Sequence, residues 1–188
     1  MSSSILCIIL CAVIWIVNGV FVGEGLRKGI VSEVFIHSGF ILFFSLLALE
    51  LTRGHMGLWH HFSLHWLRII GNILYVPSAV LVIASLISLK HKGRPESADP
   101  TSTSVFVDTG IYSIVRQPMT LGMGIWSVAL VCIFQSLLSL LLGGAALFLF
   151  WMSAQKEATY NLKKFGGDYL QYMHRVPMWN LFKGLKKK

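Results

Sequence analysis

Apolar residues gather into five blocks, 5–22, 34–51, 69–89, 119–134 and 137–154, separated by polar segments. Each block approaches the roughly 20 residues that carry an α-helix across a hydrocarbon core about 30 Å thick. The last two run together over 119–154, which as one straight helix would be roughly 54 Å long. That stretch therefore predicts a tight helical hairpin. The expected fold is an all-α integral membrane protein: five transmembrane helices, the last two forming a C-terminal helical hairpin, followed by cytoplasmic C-terminal helices. The expected layout is a single membrane domain with three N-terminal spans in 1–90, a cytoplasmic loop at 91–118, the hairpin at 119–154 and a cytoplasmic segment at 155–188.

Composition supports this reading. Of the 188 residues 55% are hydrophobic and 13% charged, with a mean hydropathy of +0.68, where an ordinary soluble domain is about 25% charged. A disordered tail, a disulfide scaffold and a fibrous repeat are excluded. Cys7, Cys11 and Cys132 lie inside apolar runs and read as small buried hydrophobes.

The net charge of +8 would point to nucleic acid in a soluble protein, but no basic residue here alternates with base-stacking aromatics on a polar surface. It reads instead as topology. With five spans, fourteen of the sixteen basic residues fall on one side and only Arg53 and Arg68 on the other; treating the hairpin as one span leaves ten against six. Because Lys and Arg accumulate in cytoplasmic loops, the N-terminus is expected outside and the C-terminus in the cytoplasm, in a cell membrane or the endoplasmic reticulum. The first span lacks a basic N-terminal flank and is followed by Arg27 and Lys28, the pattern of a retained anchor.

The longest polar segment lies between the third and fourth spans and carries a short β-like Val105-Phe106-Val107. Past the hairpin, 155–165 reads as a helix continuing into the cytoplasm, stopped by Gly166 and Gly167. Asp168 is placed to cap a second helix that ends before Pro177.

The polar groups best placed to act together lie at the cytoplasmic mouth of the hairpin. Arg116 and Gln117 precede Pro118, which suits the first turn of a helix, and Glu157 emerges at the same level on the last helix. Gly122 and Gly124 open a backbone surface for a cofactor or for helix packing. Arg116 and Glu157 also fit a plainer role as solvated interfacial charges, and Gly143 and Gly144 one as packing residues. His55, His60, His61 and His65 resemble a metal cluster, but no cysteine and few carboxylates lie near, and no metal site is expected. Glu33 and His37, four apart on the second span, share a helical face. Lys183 and Lys186 to Lys188 suit anionic headgroups.

These residues resemble a known family. FVDTGIYSIVRQPMTLGMGIW is similar to the G-x-Y-x-x-x-R-H-P-x-Y-x-G signature of isoprenylcysteine carboxyl methyltransferases and their phospholipid methyltransferase relatives, with Gly110, Tyr112, Arg116, Pro118 and Gly122 in register. The tail resembles the family's E-x7-F-G-x-x-Y-x-x-Y-x-x-R-V-P ending through Glu157, Phe165, Gly166, Tyr169, Tyr172, Arg175, Val176 and Pro177. Two half-motifs in order across a hairpin make a fairly specific signal.

The resemblance implies a methyltransferase dependent on S-adenosyl-L-methionine, with 105–188 forming the cofactor-binding part and a lipid-like or prenylated acceptor entering from the bilayer. It implies Arg116 and Glu157 as the catalytic pair, and Tyr112, Gln117, Pro118, Met119, Thr120, Leu121, Gly122, Met123 and Glu157 around the cofactor. Ser153, Trp126 and Glu33 fall on the substrate side. Tyr169, Tyr172 and Arg175 are expected to pin the C-terminal segment over the pocket.

Four positions depart from the family pattern. Gln117 replaces the usual His and cannot titrate near neutrality, and Thr120 replaces a Tyr. Ser153 stands where prenylcysteine enzymes place an Arg, and Ala158 where many members carry a second acid. Methylation of a prenylcysteine carboxylate then needs another cation, Arg116 or Lys156; a phospholipid amine or another lipid-borne nucleophile is the alternative. A sterol-reductase-like enzyme using a nicotinamide cofactor, and a non-catalytic lipid-binding member, are the remaining readings.

Overall fold

The computed structural model describes residues 3–93 and 105–186. Much of the expected 91–118 loop, with Arg94, lies outside the described residues, as do Lys187 and Lys188. Among the described residues six α-helices follow in order: α1 (Ser3–Lys28), α2 (Val31–Arg53), α3 (His65–Lys92), α4 (Pro118–Phe134), α5 (Leu137–Arg175) and α6 (Leu181–Leu185), with short 3-10 turns at Gly54–Met56 and Gly110–Ser113. No strand forms among the described residues. The β-like Val105-Phe106-Val107 instead packs Phe106 against Phe165, Tyr169 and Tyr172, so aromatic burial takes the place of a strand ladder.

Among the described residues four helices, α1, α2, α3 and α5, are long and apolar enough to cross a membrane, and α4 is a shorter apolar helix of 17 residues. At 39 residues, α5 would be about 58 Å long if straight, far more than the hydrocarbon thickness. Its polar C-terminal half must project beyond the bilayer. Gly166 breaks it as the sequence predicts, with φ 64° and ψ −138°, a conformation open to glycine and strained for other residues.

The helix ends have local causes. Gly29 closes α1 at φ 69°, and the amides of Gly29 and Ile30 reach back to the carbonyls of Leu26 and Gly25 at 3.3 and 2.9 Å, a Schellman closure. At the hairpin tip Gln135 adopts φ 52°, and Ser136 and Ser139 form a reciprocal capping box at the start of α5.

The helices pack in the order α1, α2, α5, α4, α3. Phe43 and Leu46 of α2, Met123 and Leu130 of α4, and Ala146 and Phe150 of α5 form the central core. On α3, Gly71, Ser78 and Ser85 recur every seven residues and are all buried, a small-residue seam that lets α4 approach closely. An added Cβ at Gly122 would stand 2.8 Å from Val82 and 3.0 Å from the Ser78 carbonyl. Gly124 meets Leu147 and Trp179, and Gly143 meets Val131, with similar tightness. Packing thus accounts for three of the four hairpin glycines; Gly144 borders open space.

At the end of the bundle away from Pro118, the Glu50 carboxylate is buried. It accepts hydrogen bonds from the Ser136 hydroxyl and, at 3.3 Å, from the Trp59 indole N–H, with His61 Nε2 3.6 Å away. The Gln135 side chain both accepts from the Leu64 amide and donates to its carbonyl. These contacts fasten the 54–64 connection to the hairpin tip and employ His61 in structure. The three cysteines are free.

Candidate active site

The residues expected at the mouth converge on one another. Pro118 opens α4 directly after Gln117, and the Gln117 side chain lies close enough to the Glu157 carboxylate across the hairpin to favour its charged form. The Asn161 amide lies 3.5 Å from the same carboxylate and also meets Tyr169. Arg116 donates through one terminal nitrogen to the Met173 carbonyl at 3.2 Å, while its Nε is buried with no hydrogen-bond partner. A buried unpartnered guanidinium N–H is costly, and it leaves a donor ready for an anionic group. The mouth therefore offers one cationic donor and one carboxylate.

Tyr112 closes one wall. Burial pushes its phenol well above the ordinary range, with the Glu157 charge adding to the shift and a hydrogen bond to Ser85 opposing it. It stays a neutral hydroxyl at physiological pH.

The C-terminal segment is strapped across this mouth by main-chain bonds that side-chain patterning cannot announce. The amides of Arg116 and Gln117 donate to the carbonyls of Pro177 and Met178 at 2.9 and 3.3 Å. The Tyr172 hydroxyl donates to the Tyr112 carbonyl at 2.7 Å, Arg175 approaches Asp108 at 3.4 Å, and the Trp179 indole donates to Thr120 at 3.3 Å. Tyr169 and Tyr172 are almost fully buried. Trp179 divides two open apolar grooves: one of about 570 Å³ beside Leu121, Ile125 and Phe182, and one of about 350 Å³ beside Gly144, Phe148 and Trp151.

Several expected site residues stand elsewhere. Thr120 is 1% exposed and bonded to Trp179 and to the Gln117 carbonyl; Gly122 faces α3, Met123 the central core and Leu121 the larger groove. Met119 is partly exposed on the first turn. Ser153 is 1% exposed and donates at 2.9 Å to the Ser32 carbonyl, so its hydroxyl joins α5 to α2 and does not line the mouth. Trp126 packs edge-on to Tyr75 and Phe43 deeper in the bundle, its indole N–H buried and unpartnered. Glu33 lies on the α1 side of α2, its Cβ 3.2 Å from the position a Cβ would take on Gly25. His37 bonds Asn18 and stacks on Phe21. His37 thus faces α1, which packs chiefly on α2 among the described residues. Asn161 was not anticipated, although its place one turn after Glu157 on the same face is legible in the sequence.

This is a multi-pass helical membrane protein with a polar mouth at one end of a helical hairpin. Residues 66–168 match the phospholipid methyltransferase family, and the chain belongs to it. The family consists of membrane methyltransferases acting on lipid-like substrates. The match begins in α3 and ends two residues past the Gly166 break, so it contains the seam, the hairpin, Arg116 and Glu157 but not the strap. No curated protein and no solved structure matches the chain.

Proposed function

We propose that the chain is an S-adenosyl-L-methionine-dependent methyltransferase that acts at the cytoplasmic mouth of α4 and α5, within a five-span topology whose N-terminus lies outside. The observation that carries this reading is the presence, in a chain of this family, of a buried Arg116 Nε without a hydrogen-bond partner and of the Glu157 carboxylate, both close enough to Tyr169 to act on its phenol. When bound, S-adenosylmethionine supplies an electrophilic sulfonium methyl, open to in-line displacement.

Glu157, steadied by Gln117 and Asn161, binds the cofactor's ammonium or ribose hydroxyls. The neutral Tyr112 ring faces positive charge at the wall of the mouth. The strap excludes water, which matters because the transfer needs an aligned nucleophile rather than a proton relay; Gln117 in place of a titrating His is compatible with that need. Arg116 orients the acceptor by holding its carboxylate, the task for which Ser153, bonded to Ser32, offers no charge. The acceptor is accordingly the carboxylate of a prenylated cysteine or a similar lipid, and its chain enters along the apolar grooves beside Trp179.

A phospholipid amine is the second reading, favoured by the family match itself. Labelled methyl transfer into a prenylcysteine and into phosphatidylethanolamine, run in parallel with purified protein, tests the assignment. Label in the prenylcysteine, lost in Arg116→Gln, is the expected result. Label only in phosphatidylethanolamine would transfer the assignment to the amine.

A further inference from the structure

The C-terminal α6 has two unlike faces. Leu181 packs with Val115 and Leu121, and Gly184 is seated so closely on the 110–114 turn that an added Cβ would stand 1.9 Å from the Ile114 carbonyl oxygen. Beside these contacts the helix leaves Phe182, 81% exposed, and Leu185, 56% exposed, interleaved with Lys183 and Lys186, and the sequence continues with Lys187 and Lys188. Exposed apolar side chains beside clustered lysines match the interface of an anionic lipid leaflet, where the rings and methyls enter the acyl boundary and the ammonium groups stay with the headgroups.

Position supports the same occupant. Phe182 borders the groove formed with Leu121 and Ile125 of α4, at the end of the bundle where α4 begins and the apolar region gives way to polar chain. We infer that α6 is a docking element for anionic phospholipid. Through the strap that precedes it, lipid engagement steadies the mouth. The link is covalent and short: Pro177 and Met178, which accept from the Arg116 and Gln117 amides, and Trp179, which donates to Thr120, lead directly into α6.

Hydrogen exchange on the full chain in lipid nanodiscs tests this without reference to methyl transfer. Discs of phosphatidylcholine are compared with discs in which phosphatidylserine replaces about a third of the lipid. The expected result is that the amides of 181–186 and of Arg116 and Gln117 exchange about tenfold more slowly in the anionic discs. The difference should vanish at high salt and in a variant combining Lys183→Gln, Lys186→Gln, Lys187→Gln and Lys188→Gln. Equal rates in the two discs would overturn the inference. So would a difference that survives the four substitutions, or one reproduced in neutral discs by inorganic phosphate. A parallel titration with S-adenosylmethionine rests on the proposed function: an exchange difference without cofactor binding refutes that function and leaves the lipid site standing.

Discussion

The Tyr172 hydroxyl donates a 2.7 Å hydrogen bond to the main-chain carbonyl of Tyr112. The two residues belong to the two half-motifs of the chain, and the bond joins the turn before α4 to the last turn of α5 in a buried setting. Tyr172→Phe leaves that carbonyl unpaired at a cost of about 1–3 kcal/mol. The expected outcome is a lower thermal midpoint in detergent and weaker cofactor binding together, because the bond holds the turn that carries Tyr112 against the strap. Unchanged cofactor affinity in this variant would show that the strap does not shape the mouth.

Gly184 and Gly144 form a contrasting pair. Gly184→Ala forces a Cβ into the Ile114 carbonyl, whereas Gly144→Ala meets nothing within 4 Å. The first should detach α6 and weaken cofactor affinity severalfold with little change in helix content by circular dichroism. The second should leave affinity unaltered and stability within about 1 kcal/mol.

Glu50 lies at the other end of the bundle. Glu50→Ala removes the acceptor for Ser136 and Trp59 and the carboxylate facing His61, and should destabilise the fold by about 2–3 kcal/mol. Cofactor affinity at a temperature where the variant is folded should match the parent's. Isothermal binding measured below the variant's thermal midpoint separates the two effects.

Ser153→Ala tests the substrate side. Its hydroxyl serves the Ser32 carbonyl, so the substitution should cost about 1 kcal/mol and leave the KM for the lipid acceptor unchanged. A raised KM without loss of stability would return Ser153 to the substrate site.

Much of this architecture is legible in the sequence because bilayer crossing is a demand of length and apolarity. The blocks at 5–22, 34–51, 69–89 and 137–154 all fall within long apolar helices, and the Gly166 break and the Pro118 start carry their own chemical signs. The proximity of Gln117 to Glu157 is legible through the paired motifs. What escapes is which face each neighbour occupies. Gly122 could have opened toward a ligand, but the small residues at 71, 78 and 85 bring α3 onto it. Ser153 turns toward α2, and His37 toward α1, for the same reason: helix order in the bundle is a tertiary outcome. Tyr172 on the Tyr112 carbonyl and Arg175 beside Asp108 hold the strap with residues that the tail motif singles out, whereas the main-chain bonds of Arg116 and Gln117 and the reach of Trp179 to Thr120, 59 residues away, are contacts that no local pattern encodes.

The central claim is that the carboxylate of Glu157 holds S-adenosyl-L-methionine. Calorimetric titration of that cofactor into purified wild-type protein and into Glu157→Ala, with a reduced nicotinamide cofactor run in parallel, tests it most directly. The account predicts saturable S-adenosylmethionine binding by the wild type, none by a Glu157→Ala protein of unchanged helix content, and no binding of the nicotinamide by either. Wild-type affinity in the variant, or binding of the nicotinamide alone, would contradict it.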